Sequence, residues 1–462
     1  MIDPKTILSF PPMHTLIRSV RRPRRVALWL FAFTASLSAV AQTTLTVRAE
    51  RESALYKVGE PVTFRVKAGL SDANGGHALP TKARWKLTSD GAAVVDSGTL
   101  ELVDGAGVVS GSLGEPGFLR LAVEVDAPGL TKNGKPVPQL AAVGVEPERI
   151  QASRTAPADF DEFWAEQKRA LAAIPVNLKL TPVKSPAEGI LVFDFKADCV
   201  DGVPVTGYFA WPENAKPGEL PAIMMYQGAG VRDASITSVV TRAKRGLLAG
   251  TIGAHGLPNA MGAEFYEEKA KTALLNYWHA GRESREQSYF RGMFLRVLRS
   301  IDAMAELPVW DNKTLIAHGS SQGSAQSIVA AALDKRVTLV VGGVTAMCEH
   351  GGLQGGRVVG WPKWVKRDAN GKPDPATLEA SAYYDMVHFA ERATCEARFT
   401  VGFIDVGCPP SAFYAMANRW GGKREIFNDV TCGHRNSPEA LAWMSEQGYA
   451  HAEARKVAKA AK

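Results

Sequence analysis

The stretch Thr314-Leu-Ile-Ala-His-Gly-Ser-Ser-Gln-Gly323 holds the features that decide the fold of this chain. It begins with a short apolar run, rich in β-forming residues, that predicts a buried strand. A Gly-x-Ser-x-Gly pattern centred on Ser321 follows, which is weak as a motif by itself. Beyond it, apolar residues recur at helical spacing: Ala325, Ile328, Val329 and Leu333. A strand, a tight glycine-flanked turn and a helix are together typical of a nucleophile elbow, so Ser321 is the candidate nucleophile.

A serine hydroxyl needs two partners before it can act as a nucleophile. A neutral imidazole must remove its proton, and a carboxylate must hold that imidazole in the right tautomer. After a nucleophile elbow the carboxylate and then the histidine follow the serine in the chain. His434 comes just after the predicted last strand, 424–430, and Asp405 ends the predicted strand before it, 399–405. The sequence therefore predicts Ser321, Asp405 and His434 as a catalytic triad.

Other side chains compete for these two roles. Asp385 is the rival carboxylate, but Tyr383-Tyr-Asp-Met is typical of the start of a helix. His350 follows the elbow too closely for the expected chain order, and His451 lies in a polar C-terminal helix. Asp405 and His434 are therefore preferred.

The oxyanion hole of such a site needs two backbone N–H donors. One is expected from the residue after the nucleophile, Gln322. The other is expected from the Gly-rich end of Pro221-Ala-Ile-Met-Met-Tyr-Gln-Gly-Ala-Gly230, where Ala229 is the candidate. A dinucleotide-binding turn at Gly228-Ala-Gly230 is the alternative, but it lacks a third glycine and a later acidic residue. We expect no cofactor.

The order of elements around the elbow predicts the fold class. Residues 147–462 alternate predicted strands with helices, including a long helix near 289–306. Early antiparallel strands followed by βα units indicate a mixed, mostly parallel sheet with helices on both faces, the α/β-hydrolase fold. The predicted strands are 178–183, 190–199, 205–211, 221–227, 247–253, 314–318, 337–344, 399–405 and 424–430.

Residues 42–146 read as all-β. Val62, Phe64, Val66 and Ala68 alternate with polar residues, and turn residues separate several short strands. This pattern predicts a small, immunoglobulin-like β-sandwich with Trp85 as a candidate core residue. The region carries no catalytic constellation, so we assign it a structural role, with glycan binding as the alternative.

The first 41 residues have the pattern of a signal peptide. Five arginines between positions 18 and 25 precede an apolar run that ends in Ala39-Val40-Ala41. Cleavage before Gln42 is predicted, with export to the periplasm or medium and no membrane anchor afterwards. A transmembrane anchor is the alternative, although the run is short and contains polar residues. Six Lys/Arg and one Asp give this segment a charge of +5, which leaves +2 of the total +7 for the rest. No basic stripe indicates nucleic-acid binding.

Five cysteines in an exported protein permit disulfides. Cys408 lies three residues after Asp405, and Cys432 lies two residues before His434. If the acid and the base hydrogen-bond, the loops that carry these thiols must meet, so Cys408 and Cys432 are the candidate disulfide. No cysteine or histidine spacing matches a metal site, and we expect no metal.

Six separated segments point to a known family. They are Asp159-Phe-Asp-Glu-Phe-Trp164, Asp201-Gly-Val-Pro-Val-Thr-Gly-Tyr208, Tyr289-Phe-Arg-Gly292, Gly319-Ser-Ser-Gln-Gly323, Tyr384-Asp-Met-Val-His-Phe-Ala390 and Asp405-Val-Gly-Cys-Pro-Pro-Ser411. Through them the chain from about Pro157 onward resembles the acetyl xylan esterase and cephalosporin-C deacetylase group of carbohydrate esterases. The resemblance implies removal of acetyl groups from acetylated polysaccharide or oligosaccharide through an acyl-enzyme. It assigns the same triad, and the same oxyanion donors, Gln322 and the Ala229 position.

The sequence departs from this family's pattern at Ser324, Arg435, Arg296 and Ala229. Ala229 stands where the family often has tyrosine, which puts the size of the acyl pocket in question. The alternative functions are a serine peptidase of the same fold and a non-catalytic carbohydrate-binding protein. A homo-oligomer stays open.

Two insertions near the predicted site contain aromatic side chains. These residues either stack on sugar faces or pack in the core: Tyr277, Trp278, Trp361 and Trp364. His255 and His279 lie close to them in the sequence and are candidates for the pocket wall.

Overall fold

Mostly antiparallel strands make up the described residues between Thr43 and Val145. The computed structural model describes residues 43–70 and 78–460, so the predicted signal peptide, 1–41, lies outside the described residues. Along the third strand Val62, Phe64 and Val66 are buried, and the polar residues between them are at least partly exposed. The strands are β1 (Thr43–Ala49), β2 (Leu55–Tyr56), β3 (Val62–Leu70), β4 (Lys82–Ser89), β5 (Ala93–Glu101), β6 (Ala106–Gly111), β7 (Gly117–Glu124), β8 (Thr131–Lys132), β9 (Lys135–Pro136) and β10 (Gln139–Val145).

These ten strands form two small sheets and a hairpin. The sheets have the orders β1-β3-β6 and β2-β10-β7-β4-β5, and β8 pairs with β9. Phe64, Leu87 and Phe118 are fully buried in a shared core, and Trp85 is partly buried against it. Two sheets, antiparallel except for the parallel pair β2–β10, enclose one core and agree with the predicted β-sandwich. Residues Ala41–Lys462 form one compact unit, so the domain boundary at 146 stays a prediction.

A second group of nine strands forms a single sheet. Its order is β11-β12-β13-β15-β14-β16-β17-β18-β19. The pairs among β11, β12, β13 and β15 are antiparallel, and the pairs from β15 through β14 to β19 are parallel. The strands are β11 (Lys179–Val183), β12 (Ile190–Ala197), β13 (Val205–Pro212), β14 (Leu220–Tyr226), β15 (Leu248–Ile252), β16 (Trp310–Ser320), β17 (Leu339–Gly343), β18 (Glu396–Gly402) and β19 (Arg424–Asp429).

Helices connect the strands of this sheet. They are α1 (Phe160–Ala172), α2 (Ile236–Ala243), α3 (Ala263–Lys271), α4 (Tyr289–Ala305), α5 (Gln322–Leu333), α6 (Pro375–Ala382), α7 (Met386–Ala390), α8 (Pro410–Ala417) and α9 (Pro438–Ala460). Within residues 43–70 and 78–460, none of the helices has both the length and the apolar character that a membrane span requires.

Both faces of the nine-stranded sheet are covered, as its sequence requires. Every residue of β14 is buried. Met224 belongs to the core cluster shared with α4, α5 and α8, whereas Ile223 and Met225 belong to the cluster shared with α2 and α9. A strand that is apolar on both sides is typical of a parallel sheet between two helical layers. The predicted α/β-hydrolase fold is confirmed.

Each predicted strand of the sheet corresponds to an observed one, with shifted ends. The largest change is at β16, which begins at Trp310 rather than at 314. Strand β18 ends at Gly402, so Asp405 lies in the loop beyond the strand and not at its last residue. The long predicted helix is α4.

Candidate active site

Ser321 lies in the sharp turn between β16 and α5. Its backbone has φ 57° and ψ −124°, a strained conformation for a residue with a side chain. A Cβ on Gly319 would lie 2.3 Å from the carbonyl carbon of Gly323, and a Cβ on Gly323 would lie 2.2 Å from Tyr226 O. Only glycine fits at these two positions. The strained turn at the end of a central strand is the geometry of a nucleophile elbow.

A continuous chain of hydrogen bonds joins Ser321, His434 and Asp405. Ser321 Oγ lies 2.9 Å from His434 Nε2, and His434 Nδ1 lies 2.8 Å from Asp405 Oδ2. When Nδ1–H donates to the carboxylate, Nε2 carries no proton and can accept one from the serine hydroxyl. The three residues predicted from the sequence therefore meet in hydrogen-bonding order.

The loop after β18 fixes the Asp405 carboxylate. Its side chain is 1% exposed, and Oδ1 accepts hydrogen bonds from Gly407 N at 2.7 Å and Cys408 N at 2.8 Å. These two donors leave Oδ2 free to face the imidazole. The hydrogen bond with Asp405 raises the pKa of His434 above its ordinary value, although burial acts in the opposite direction.

The rival acid and bases have structural partners elsewhere. Asp385 caps the start of α7, where its carboxylate accepts hydrogen bonds from Glu349 N (2.8 Å), His350 N (2.7 Å) and Val387 N (3.1 Å). The His350 ring packs 5.4 Å from the ring of Trp364. On α9, His451 Nε2 lies 3.0 Å from Thr338 Oγ1.

The two predicted oxyanion donors flank the elbow. Gln322 is the first residue of α5, where backbone N–H groups have no partner within the helix. A Cβ on Gly228 would lie 3.8 Å from Ser321 Cβ and 3.3 Å from Ser320 O, so the loop after β14 touches the turn. Ala229 is the next residue of that loop. This placement agrees with the expected arrangement, and the role of the two N–H groups stays a prediction.

Tyr277 ties these two segments together. Its hydroxyl donates to Gln322 Oε1 at 2.6 Å and accepts from Gly230 N at 3.5 Å. Burial raises the pKa of Tyr277 to about 12, so the hydroxyl remains a neutral donor near pH 7. From the sequence, Tyr277 could either stack on a sugar or pack in the core. Nothing in the pattern around position 277 reveals a partner 45 residues away.

The predicted Cys408–Cys432 disulfide is wrong for this structure. All five cysteines lie within the described residues, and all are free thiols. The loops do meet, since Ile404 N donates to Cys432 O at 3.2 Å. Both thiols are buried, but they are not bonded to each other.

One group of potential metal ligands coincides with the triad. Ligand atoms of Asp405, Cys408 and His434 lie within 4.8 Å of one another. The carboxylate and the imidazole of this group already bond to each other. Burial raises the pKa of the Cys408 thiol well above its ordinary value, which disfavours the thiolate that a metal would bind. The hydrogen-bonded triad accounts for this grouping.

Ser321 opens into a cleft of about 1050 Å³ between the ends of β14 and β16 and the loops after β18 and β19. Of the insertion aromatics, Trp361 lines this cleft, whereas Tyr277 and Trp364 are buried. His255 is buried behind the loop after β14, with Nε2 3.1 Å from Gly230 O, and burial lowers its pKa to about 4. His279 Nε2 contacts Pro362 O at 3.0 Å.

Comparisons with known proteins place this geometry in a family. A sequence profile of the family described as acetyl xylan esterase (AXE1) matches residues 146–446. The chain is similar to the acetyl esterase Axe7A of Xylanibacter ruminicola, with 29% identity over 404 residues that cover 85% of this chain and 88% of that protein.

Two solved structures share the fold of the larger sheet. One is an acetyl xylan esterase from Paenibacillus sp. R4, with a TM-score of 0.57 and 21% identity, covering 66% of this chain and 98% of that one. The other is acetyl xylan esterase 1 from Thermoanaerobacterium sp. JW/SL YS485, with a TM-score of 0.56 and 18% identity, covering 66% and 96%. At these identities the similarity is one of fold.

Proposed function

This chain belongs to the acetyl xylan esterase family and is a carboxylic ester hydrolase, and we propose that Ser321 is its nucleophile and acetylated, xylan-type polysaccharide its substrate. The observation that carries the proposal is the hydrogen-bonded order Ser321–His434–Asp405, with distances of 2.9 and 2.8 Å. It lies at a strained turn that opens into a cleft large enough for several sugar units.

The proposed reaction has two half-reactions. Ser321 Oγ forms a bond to the acetyl carbonyl carbon while its proton passes to His434 Nε2. The bond from that carbon to the sugar oxygen then breaks, and His434 returns the proton to the leaving hydroxyl. In the second half, water attacks the acetyl-serine through the same imidazole and releases acetate. Neither half requires an electron carrier or a group carrier.

The remaining residues of the site stabilise the charges that form during this reaction. The tetrahedral intermediate carries a negative oxygen, for which the N–H groups of Gln322 and Ala229 are the proposed donors. Asp405 stabilises the imidazolium that forms at His434, and its two backbone donors keep it in place.

The names of the similar proteins support the substrate. Axe7A is described as an acetyl esterase, and the two solved structures are described as acetyl xylan esterases. The partly exposed ring of Trp361 offers the cleft an apolar face suited to a sugar ring. Within the family analogy we expect acetyl esters to be preferred over butyryl esters. The small side chain of Ala229 leaves room for longer acyl groups, so a higher kcat/KM on butyryl or longer esters would contradict this preference.

We also propose that the protein is exported. The arginine-rich start, the apolar run and Ala39-Val40-Ala41 support cleavage before Gln42. N-terminal sequencing of the protein purified from the native host should begin at Gln42. A mature chain that retains the apolar run would contradict export by cleavage.

The triad is tested with three variants on p-nitrophenyl acetate. Ser321→Ala and Asp405→Asn should each lower kcat by about a thousandfold or more while the circular dichroism spectrum is unchanged. Asp385→Asn is the matched control, since that carboxylate caps a helix, and it should keep most of the activity. The reverse ranking of the two aspartates would refute the assignment of the acid.

Two further measurements separate the other two candidate functions from an esterase. A fluorophosphonate probe should label the wild-type protein at Ser321, and the Ser321→Ala variant should not be labelled. An unlabelled wild-type protein would indicate a non-catalytic carbohydrate-binding protein. Cleavage of peptide amides in preference to acetylated xylo-oligosaccharides would indicate a peptidase.

A further inference from the structure

Three arginine side chains line the cleft that contains Ser321. These cleft arginines are Arg232, Arg242 and Arg435. Among residues 43–70 and 78–460, no carboxylate lies within 4 Å of a nitrogen of these side chains. The acidic residue of the cleft wall, Asp233, instead accepts a hydrogen bond from Ala260 N at 2.9 Å. The cleft wall therefore carries three arginine charges and one carboxylate, and that carboxylate bonds to the backbone of Ala260 and not to an arginine.

Arg232 is held close to the elbow. Its guanidinium donates to Ala229 O at 2.9 Å and to Gly228 O at 3.0 Å. The Cβ position of Gly228 lies 3.6 Å from Arg232 Nη2 and 3.8 Å from Ser321 Cβ, so the cation lies beside the nucleophile. These bonds use two of the five N–H donors of the guanidinium. The other donors and the charge remain available to a ligand in the cleft.

The other two cations also lie on the cleft wall. Arg242 Nη1 donates to Tyr449 OH at 2.6 Å, and its guanidinium lies 5.1 Å from the centre of that ring. Arg435 is exposed and directly follows His434. Cations on the wall of the cleft that holds Ser321 attract an anion, and arginine pairs with planar carboxylates better than lysine does.

We propose that this cleft selects acetyl esters on acidic sugars, in which a uronic acid carboxylate lies near the acetylated ring. This inference rests on the proposed function and names the substrate class of the same site. The carboxylate pairs with the cleft arginines while the acetyl carbonyl is at Ser321.

The first test compares two acetylated xylo-oligosaccharides, one with a uronic acid substituent and one without. Two or three exposed ion pairs predict a kcat/KM about tenfold higher for the acidic substrate at low ionic strength. The preference should shrink towards equality near 0.5 M NaCl, because salt screens exposed charges. Equal acetate release from both substrates would overturn this inference and leave the proposed function intact. No release from either would overturn the proposed function and this inference with it.

Charge reversal at one cleft arginine provides the second test. Arg435→Glu should lower kcat/KM for the acidic substrate roughly tenfold more than it lowers kcat/KM for the neutral substrate or for p-nitrophenyl acetate. Arg169→Glu, on the exposed face of α1, is the matched control and should change none of the three. A fall of the same size for acidic and neutral substrates would overturn the proposal.

The N-terminal strands contact the loop that carries Asp405 through two buried charged side chains. Arg120, on β7, is 6% exposed and donates from Nη2 to Asp405 O at 3.1 Å. Asp90, in the turn after β4, is 2% exposed, and its Oδ2 accepts from Ser411 Oγ at 2.5 Å and from Val358 N at 3.2 Å. These contacts join segments of the chain that are some 270 to 320 residues apart.

Burial of these two groups is costly. Burial raises the pKa of Asp90 to about 6 and lowers the pKa of Arg120. Asp90 Oδ1 and Arg120 Nε have no hydrogen-bond partner among the described residues. Next to them the ring of Phe118 lies edge-on to Phe403, 5.1 Å away, and packs the same loop. Two charged side chains and an aromatic ring from the small sheets thus support the backbone around Asp405.

We infer that Arg120 and Asp90 are positioning residues for the catalytic acid. Arg120 holds the backbone carbonyl of Asp405, and Asp90 holds Ser411 at the start of α8, which follows the same loop. Together they keep Asp405 Oδ2 directed at His434 Nδ1. The N-terminal strands therefore help to hold the catalytic acid in position, and they are not merely a spacer.

Arg120→Met keeps the length of the side chain and removes the donor to Asp405 O. We expect kcat on p-nitrophenyl acetate to fall roughly tenfold with little change in KM, because the acid loses its alignment. The acidic limb of the kcat/KM profile should also move to lower pH, since a weaker hydrogen bond from His434 Nδ1–H to Asp405 raises the pKa of His434 less. Arg84→Met, on the exposed side of β4, is the control and should change neither quantity.

Ser411→Ala removes the hydroxyl bond to Asp90 without altering a charge, and it carries the test if Arg120→Met does not fold. Fluorophosphonate titration gives the fraction of active sites, and kcat is expressed per active site. A lower active fraction with a wild-type kcat and an unmoved acidic limb in both variants would overturn the inference, since only stability would then have changed.

Discussion

Gly323→Ala is the most direct perturbation of the elbow. The added Cβ would lie 2.2 Å from Tyr226 O, 2.9 Å from Tyr226 C and 3.1 Å from Gln227 C. Unstrained contacts of this kind lie near 3.5 Å, so the methyl group must retreat by more than about 1 Å. Backbone atoms of β14 cannot rotate away as a side chain does. The start of α5 must therefore move, and with it Ser321 and Gln322.

The size of this movement sets the expected loss. Displacing catalytic groups by about 1 Å typically costs a hundredfold in rate, so kcat/KM on p-nitrophenyl acetate should fall about a hundredfold or more. Overpacking of a tight contact should also lower the free energy of unfolding by about 1–3 kcal/mol. Both effects follow from the same 2.2 Å contact.

Gly448→Ala is the matched control for this variant. Gly448 lies in α9, and a Cβ there would meet no heavy atom within 4 Å. Alanine in a helix is favoured over glycine by about 0.5–1 kcal/mol, so this variant should keep its activity and gain a little stability. Steady-state kinetics and thermal unfolding on both variants decide the matter. If Gly323→Ala retained more than a fifth of the wild-type kcat/KM, the steric reasoning about the elbow would be refuted.

Three further predictions follow from the site. The pKa of His434 is raised by its hydrogen bond with Asp405, so the acidic limb of kcat/KM on p-nitrophenyl acetate should have its midpoint above about 6.5. The same raised pKa stabilises the folded protein at low pH, and that contribution disappears as the pH rises through the folded-state value. A limb centred below the ordinary imidazole value of about 6.5 would contradict the raised pKa. Tyr277→Phe leaves Gln322 Oε1 buried without its donor and should lower kcat about tenfold relative to the wild-type protein. Steady-state kinetics on p-nitrophenyl acetate measure this change. The denatured, unreduced protein should give five thiols per chain with Ellman's reagent, and three would restore the disulfide.

The fold was predictable because its signal is local. Strand β14 is apolar at every position, and glycines at 319 and 323 remove side chains where strand and helix cross. Each of these features can be read within about ten residues. The order of the triad along the chain follows from the fold, since the ends of β16, β18 and β19 lie at one edge of the sheet.

The direction of side chains in the loops could not be read in the same way. The sequence placed the loops of Cys408 and Cys432 together, and they do meet. Whether two thiols face each other depends on loop conformations that no periodicity encodes. Tyr277 is a similar case, because its bond to Gln322 crosses from an insertion of irregular structure to the start of a helix.

The role of the N-terminal strands was hidden for the same reason. Arg120 occupies one position of an alternating strand, where a lone buried arginine has no local explanation. Its partner, Asp405 O, lies 285 residues later. Both oxygens of the Asp405 carboxylate are used by Gly407, Cys408 and His434, so a contact from outside the nine-stranded sheet can act only on the backbone of this residue. The orientation of the acid is then set jointly by its own loop and by a strand of the other sheet. Removal of the small sheets should consequently lower kcat, because Asp405 loses its alignment, and should not merely raise KM for the substrate.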